Sequence, residues 1–347
     1  MSHPELPASQ ADSPLDPRAL MARFKPYAKP DTTRSIWELI VTVGPFAAVM
    51  LAMLVAVDAG YFAALVLAPL AGLLLLRTFI IQHDCGHGAF FGNRDGNDWV
   101  GRALGVLTFT PYDCWRRSHT LHHAGTGNLD ARGFGDVDTL TVREFSTASR
   151  WQRAFYRFYR HPAVLLGVGP AYLFILRHRL PIGLMRAGAI YWVSAMGTNM
   201  VTAAVLGILI YAFGLATTLL VVVPPLLIAA SVGVWLFYIQ HQYEQAHWDR
   251  AENWSFHEAA LKGSSYLDLP QPLRWFTANI GVHHVHHLAS RIPFYRLDEV
   301  LDAHPELRNL NRFTLLQTIS RLKLALWDED SRRMVTFREA KRLALQA

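Results

Sequence analysis

The sequence has little charge and little cysteine for its length. Only 17% of its 347 residues are Asp, Glu, Lys or Arg, whereas 52% are hydrophobic. Ordinary soluble domains carry about 25% charged residues, so this composition disfavours an ordinary water-soluble fold. The two cysteines, Cys85 and Cys114, cannot build a disulfide framework, and we expect both to be free thiols.

Positive charge is missing from two long stretches of the chain. No Lys or Arg occurs over residues 35–76 or over residues 187–249. Within these stretches lie four apolar segments, each long enough to cross a bilayer, which takes about 20 residues. The four predicted spans are approximately residues 37–57, 61–81, 190–212 and 217–239.

The distribution of basic residues predicts the orientation of these spans. Every Lys and Arg lies in residues 1–34, 77–186 or 250–347, and the short turns between paired spans have none. The positive-inside rule therefore places both termini and residues 82–186 in the cytoplasm. The sequence predicts an all-α, multi-pass integral membrane protein with four transmembrane helices in two hairpins.

The net charge of +6 raises the question of a nucleic-acid partner. The basic residues flank apolar runs and form no recognised nucleic-acid motif, so we exclude nucleic acid. A basic surface beside a membrane fits anionic lipid headgroups and an acidic electron-transfer protein.

Three histidine clusters carry the chemical signal. They are His83/His87, His119/His122/His123 and His283/His286/His287. Residues at i, i+3 and i+4 share one helix face, so each cluster can direct two or three imidazoles at one point. A random chain with this histidine content would contain about 0.03 HxxHH matches, and two are present.

The number and position of these histidines predict a pair of metal ions. Eight imidazoles are too many for one ion and enough for two, although imidazole alone does not choose among Zn, Cu, Fe and Ni. All three clusters fall on the predicted cytoplasmic side. Two redox-active metals beside a membrane indicate activation of dioxygen against a lipid-soluble substrate.

The text around the clusters resembles the membrane fatty acid desaturases, in particular the acyl-lipid omega-6 (delta-12) type. The matching stretches are HDCGHGAFF at 83–91, WRRSHTLHH at 115–123 and NIGVHHVHHLASRIPFY at 279–295. The resemblance covers roughly residues 35–310, which we expect to form one membrane desaturase domain. It implies a cytoplasmic helical cap that carries the boxes, and a non-haem di-iron centre that uses O2 to introduce a double bond into an acyl chain.

The family pattern also implies a ninth ligand just after the fourth span. His241 is the residue that matches this position, and His247, six residues further on, is its competitor. His284 lies inside the third box at a variable position, so we interpret it as a neighbour of the site and not as a ligand.

Four polar residues near the boxes are candidates for supporting roles. Asp84 is placed to accept a hydrogen bond from an imidazole N–H and fix its orientation, or else is simply solvated. Asn279 precedes the third box by one turn and would bind a metal-bound water or cap a helix. Asp136 and Asp138 follow the second box, where a loop role and an orienting role are both open.

The two tails lie outside the resemblance. Residues 1–34 are polar and rich in proline, which predicts a disordered cytoplasmic tail without a signal-peptide pattern. We expect residues 311–347 to form a cytoplasmic, helical C-terminal tail.

The sequence contains no Gly-rich nucleotide fingerprint and no His-Pro-Gly-Gly haem motif, so the electrons are expected from a separate donor such as ferredoxin. The acyl group is carried on a membrane lipid, CoA or a carrier protein. A hydroxylase, ketolase or epoxidase on the same scaffold is the main alternative. A metal transporter or sensor is more remote, because the spans carry little polar beyond Asn199.

Overall fold

The computed structural model describes residues 16–133 and 135–343, which are mostly helical. The α-helices up to residue 241 are α1 (Pro17–Phe24), α2 (Thr32–Asp58), α3 (Ala68–His87), α4 (Arg94–Leu107), α5 (Tyr112–Gly125), α6 (Val142–Thr147), α7 (Arg150–Tyr159), the three-residue α8 (Gly169–Ala171) and α9 (Ala189–His241). The shorter helices that follow are α10 (Phe256–Lys262), α11 (Gln271–Phe276), α12 (His283–Leu288), α13 (Leu297–Ala303), α14 (Thr318–Arg321) and α15 (Phe337–Leu343). The strands are β1 (Leu140–Thr141), β2 (Tyr266–Asp268), β3 (Arg312–Thr314), β4 (Leu324–Asp328) and β5 (Arg333–Thr336).

Three helices in the described part of the chain are long and apolar enough to cross a membrane. They are Thr32–Asp58, Phe62–His87 (counting the 3₁₀ turns before α3) and Ala189–His241. The first begins after Asp31, whose carboxylate accepts the backbone N–H of Arg34 at 3.0 Å and so caps the helix. The second ends at Gly88, whose left-handed φ of 65° terminates it directly after the first histidine box.

The third of these, α9, contains both of the last two predicted spans. Its backbone leaves helical geometry at Gly214, with φ 78° and ψ 161°. Both of its ends contact α5: Cys114 Sγ donates to the Tyr191 carbonyl at 3.2 Å, and the His241 ring lies 4.8 Å from the His122 ring. Because 50 residues of straight helix span about 75 Å and α5 only about 20 Å, the chain must reverse within α9.

Helix α3 packs against α2, α4 and α9 and places the first box at the centre of the molecule. A buried ion pair joins it to α2, where Arg77 donates to the Glu38 carboxylate and, through Nε, to Thr42 Oγ1 at 3.0 Å. The Arg77 guanidinium also lies 4.1 Å from the Trp275 ring. These contacts fix α3 on two sides, one turn and a half before His83.

The prediction of disorder up to residue 34 is wrong for the part that the structure describes. Residues 17–24 form α1, with Leu20 and Phe24 fully buried. The two apolar residues are four apart and so share one helix face, and Phe24 packs edge-on against His304 at 5.3 Å. The high proline content of this segment predicts disorder and does not indicate the short helix that packs against the rest of the protein. Residues 1–15 lie outside the described chain.

The prediction of a helical C-terminal tail is also wrong for most of its length. β4 pairs antiparallel with β5 and parallel with β1, and β3 pairs parallel with β2. Every residue of β4 is buried, and its first four residues, LALW, form a continuous apolar run, as expected of a strand covered on both faces. Only α14, the 3₁₀ turn before it (Leu315–Gln317) and α15 are helical there in the described chain, and residues 344–347 lie outside it.

Candidate metal centre

Four helices bring the predicted ligands together. α3 ends with the first box, α5 carries the second, α12 is the third, and α9 ends at His241. The nine histidines form two groups, and within each group the ligand atoms lie within 4.8 Å of one another. Group one consists of His83, His87, His119, His123 and His286, and group two of His122, His241, His283 and His287.

The spacing of the boxes explains why each box divides between the groups. In α5, His119 and His123 are four residues apart and both belong to group one, whereas His122 belongs to group two. In α12, His283 and His287 are four apart and belong to group two. An i, i+4 pair lies in one row along the helix, and the remaining histidine lies to the side of that row. Each HxxHH box therefore serves two adjacent sites.

The two groups are neighbours. The rings of His123 and His287 stack across them with centroids 4.0 Å apart. Within group one, the Nε2 atoms of His87 and His119 are 3.0 Å apart. In group two, those of His241 and His283 are also 3.0 Å apart. Two nitrogens bound at right angles to one ion, each at about 2.1 Å, would be separated by about 3 Å.

Several of these nitrogens have no other partner, which is what a metal site requires. In group two, His122 Nε2 and both ring nitrogens of His287 are buried and make no hydrogen bond within the described chain. A buried polar atom without a partner costs free energy unless something binds it. The residues therefore fit a pair of ions held mainly by imidazole, a donor type that suits iron among other first-row metals.

Three of the rings are held in place through Nδ1. His83 Nδ1 lies 3.1 Å from Asp84 Oδ1, His241 Nδ1 lies 3.1 Å from the Gly263 carbonyl, and His122 Nδ1 contacts Asp136 Oδ1. A hydrogen bond at Nδ1 fixes the tautomer and leaves the Nε2 lone pair for a metal. In each case the free nitrogen belongs to one of the two groups.

Burial favours the uncharged form of five of the rings. Burial lowers the pKa of His119, His123 and His286 well below the usual value for histidine, and neighbouring imidazoles lower it further. The same causes lower the pKa of His283 and His287. A neutral imidazole keeps one lone pair, so these side chains are ready to bind metal.

The two groups differ in exposure. All four histidines of group two are buried, whereas His87, His119 and His123 in group one are half-buried. The Trp115 ring covers part of group one by stacking on His119 at 4.6 Å, and Phe237 lies 4.8 Å from His122. Aromatic walls of this kind limit the access of water to both groups.

The structure separates the predicted ligands from their competitors. His247 belongs to neither group and instead has its Nε2 3.0 Å from Asp249 Oδ2. His284 is buried beside Tyr266 and also lies outside both groups. His241, in contrast, lies inside group two.

The supporting residues met different outcomes. Asp84 contacts the His83 imidazole, which is one of the two roles that the sequence left open, and Asp136, which the sequence did not distinguish from Asp138, contacts His122. Asn279 neither contacts a box histidine within the described residues nor caps α12, whose preceding residue is Val282. Its backbone has φ 53°, a left-handed conformation that Asn tolerates, and it shapes the turn before the third box.

The comparisons with known proteins agree with this geometry. A family model described as fatty acid desaturase matches residues 59–315. A fatty acid desaturase of Bacillus subtilis is 39% identical over 327 residues, which cover 94% of this chain and 92% of that protein. An sn-1 acyl-lipid omega-3 desaturase (ferredoxin) of Synechocystis is 29% identical, with 79% and 76% covered. An sn-1 oleoyl-lipid 12-desaturase of Synechocystis is 27% identical, with 65% and 64% covered.

The family model spans all three histidine boxes and His241, and the Bacillus subtilis relative covers nearly the whole chain. The resemblance inferred from the boxes is therefore confirmed, and so is the enzyme class. The chain belongs to the fatty acid desaturase family and is an oxidoreductase.

Proposed function

We propose that this chain is an integral-membrane enzyme that introduces a C=C bond into a fatty acyl chain at a histidine-held di-iron centre, with O2 as co-substrate. The observation that carries the proposal is the meeting of nine histidines in two adjacent groups at the ends of apolar helices. The alternative chemistries of the same scaffold, hydroxylation among them, are outcomes of the test below.

Each group of histidines would hold one iron. Group one offers five imidazoles and group two offers four, with His241 as the ninth ligand. Iron bound there supplies the reductive activation of O2 that an unactivated methylene pair requires. The chain's own contribution is to orient the rings through Asp84, Asp136 and the Gly263 carbonyl, and to keep bulk water from group two.

We infer four membrane crossings in two hairpins, with the centre and both termini in the cytoplasm. α2 and α3 would form the first hairpin around the turn at Gly60, and the two halves of α9 the second around Gly214. Both turns lack Lys and Arg, which favours their placement on the outer side. The first box and His241 would then emerge on the same cytoplasmic side, and they belong to the two adjacent histidine groups.

We infer a lipid-linked acyl substrate and a separate electron donor. The names of two relatives specify acyl-lipid substrates, and one of them also names ferredoxin. The sequence of this chain has no nucleotide or haem motif that would supply electrons internally. Resemblance around the boxes leads us to propose the omega-6 (delta-12) position, although the matched relatives include both omega-3 and 12-desaturases.

The test is product analysis after expression in a host rich in monounsaturated lipid. Total acyl chains are analysed by gas chromatography–mass spectrometry for the wild type, for His286→Ala and for His257→Ala. His286 belongs to group one, whereas His257 lies outside both groups and serves as the matched control.

We expect a new diene in the wild type and in His257→Ala but not in His286→Ala, and derivatisation would give the position of the new double bond. A hydroxy, keto or epoxy chain with the same dependence on His286 would overturn desaturation while keeping the metal centre. A diene that persists in His286→Ala would contradict the role of the histidine groups.

A further inference from the structure

Helix α7 carries three large aromatic side chains that the rest of the described chain leaves uncovered. Trp151, Phe155 and Phe158 have 72%, 70% and 59% of their surface exposed. Their spacing of four and three residues places them on one side of the helix, and we call this set the aromatic face. A contiguous exposed apolar patch of this kind marks a surface that contacts a partner or a membrane.

Two tyrosines of α7 fix the helix to the protein. The buried Tyr156 hydroxyl donates to the Ala325 carbonyl at 2.6 Å, and it accepts the Leu140 N–H at 3.1 Å. The Tyr159 hydroxyl accepts the Asp138 N–H at 3.2 Å. These bonds orient the helix, so the aromatic face points outward because of the fold. They also connect α7 to the loop that carries Asp136.

Contacts with α9 show at which depth, relative to the bilayer, α7 ends. Arg160, the residue after α7, donates to the Tyr238 hydroxyl at 3.1 Å and to Gln242 Oε1 at 2.9 Å. These two residues flank His241, the end of α9. At 1.5 Å per residue, Tyr238 lies about 36 Å from the break at Gly214. A bilayer has an apolar core of about 30 Å and reaches about 40–45 Å with its headgroups, so α7 ends at headgroup level.

After α7 the chain returns toward the apolar layer. Arg179 donates to Asn199 Oδ1 at 2.8 Å, and Asn199 Nδ2 donates back to the Arg179 carbonyl at 2.8 Å. Asn199 lies about 22 Å from the break in α9, which is about 14 Å nearer to it than the end of α7. Large apolar side chains on the way are exposed, among them Val168, Tyr172 and Leu176. The aromatic face therefore stands where the chain enters the apolar layer.

The charge beside the aromatic face fits lipid phosphate. The Arg150 guanidinium lies 5.2 Å from the Trp151 ring and makes no ion pair within the described part of the chain. Trp is enriched at membrane interfaces, and an amphipathic helix with Trp and Phe on one side and Arg beside them is typical of a segment that lies in that plane.

We propose that α7 lies in the bilayer interface on the side of the histidine groups, with the aromatic face among lipid headgroups and upper acyl chains and Arg150 against lipid phosphate. The partner of this surface is the membrane lipid itself. A second copy of the chain would be the alternative occupant, and the experiment below distinguishes the two.

The full chain is reconstituted in vesicles of phosphatidylcholine and phosphatidylglycerol with a nitroxide at Phe155→Cys. Cys85 is buried and burial raises the pKa of the Cys114 thiol to about 12, so labelling is expected at the introduced cysteine. Collisions with O2, which dissolves in lipid, are compared with collisions with a water-soluble nickel chelate. Glu252→Cys, in an exposed turn, is the matched control, and Phe158→Cys repeats the measurement on the same face.

We expect the labels at 155 and 158 to collide several-fold more with O2 than with nickel, relative to the label at 252. Equal nickel access at all three positions would overturn the proposal, because the face would then stand in water. Dipolar broadening between labels at 155 would also overturn it, since a second copy would cover the face. No turnover is required, so the outcome is independent of metal loading.

Discussion

The carboxylate of Asp84 accepts the backbone N–H of Phe294 at 2.7 Å. Its other oxygen lies 3.1 Å from His83 Nδ1. One side chain thus joins the first histidine box to the segment that follows the third box, although the two are 210 residues apart in sequence. The Asp84 carboxylate thus links the position of His83, a group-one histidine, to the segment after the third box.

Asp84→Asn should weaken the metal centre without unfolding the chain. An amide has one acceptor oxygen where the carboxylate has two, so either the Phe294 or the His83 contact is lost. Loss of an orienting partner typically costs about 10–100-fold in metal affinity or activity. Iron retained during titration with a chelator measures the effect. Iron retention equal to that of the wild type would show that Asp84 does not position His83.

Asp136→Asn should lower activity in the same way, whereas Asp138→Asn should not. The Asp136 carboxylate contacts Nδ1 of the buried His122, and only the backbone groups of Asp138 make hydrogen bonds in the described chain. We expect a loss of about 10–100-fold for the first variant. The activity of each variant is measured as diene formation per unit of membrane protein. Equal activity of the two variants would contradict the assignment.

Glu38→Ala should destabilise the fold strongly. It removes the carboxylate partner of the buried Arg77 and leaves a charge without a counter-ion, which costs about 3–5 kcal/mol. Arg34→Ala removes an exposed partner of the same carboxylate and should cost less than about 1 kcal/mol. The thermal unfolding midpoint in detergent compares the two. A larger effect of Arg34→Ala would show that the buried pair is not what holds α2 against α3.

The metal-free protein should lose stability as the pH falls below about 7. The pKa of His123, His286 and His287 is lowered in the folded state by burial and by neighbouring imidazoles. Below about pH 6.5 the histidines of the unfolded chain therefore bind more protons than those of the folded chain. The free energy of unfolding then decreases as the pH falls toward the pKa values of the folded state. Unfolding midpoints of chelator-treated protein from pH 8 to 5 measure this. A midpoint that rises on acidification would contradict the lowered pKa values.

The Cys114 thiol should not react with alkylating reagents at pH 8 in the folded protein. Burial raises its pKa to about 12, and its Sγ donates to the Tyr191 carbonyl. The thiolate is the reactive form, so labelling should appear only after denaturation. Mass spectrometry of the treated protein measures the alkylation of Cys114. Rapid labelling of Cys114 before denaturation would show that the contact between α5 and α9 is open.

The sequence was most informative where function requires particular residues at particular spacings. The boxes were recognisable because metal ligands cannot be exchanged for other side chains, and the apolar spans because a bilayer demands long apolar runs. The division of the box histidines between two groups was not predictable, since it depends on how α5 and α12 are rotated about their axes. Tertiary packing sets that rotation.

The remaining differences have the same origin. Asp136 and Asp138 have similar local sequence, and only the fold brings one of them to His122. α1 and β4 owe their conformation to burial against distant parts of the chain, a contribution that local composition does not show. The break in α9 at Gly214 lies between the last two spans that the sequence predicts.

The most direct test of the account is the number of iron atoms that each group of histidines holds. Protein purified after growth with added iron is analysed by mass spectrometry of the metal, for the wild type and for the double variant His283→Ala/His287→Ala, which removes two ligands of group two. We predict about two irons per chain in the wild type and about one in the variant, because metal affinity depends on the complete ligand set. Iron near zero in the wild type, or the same content in both proteins, would contradict the claim that the two groups are two iron sites.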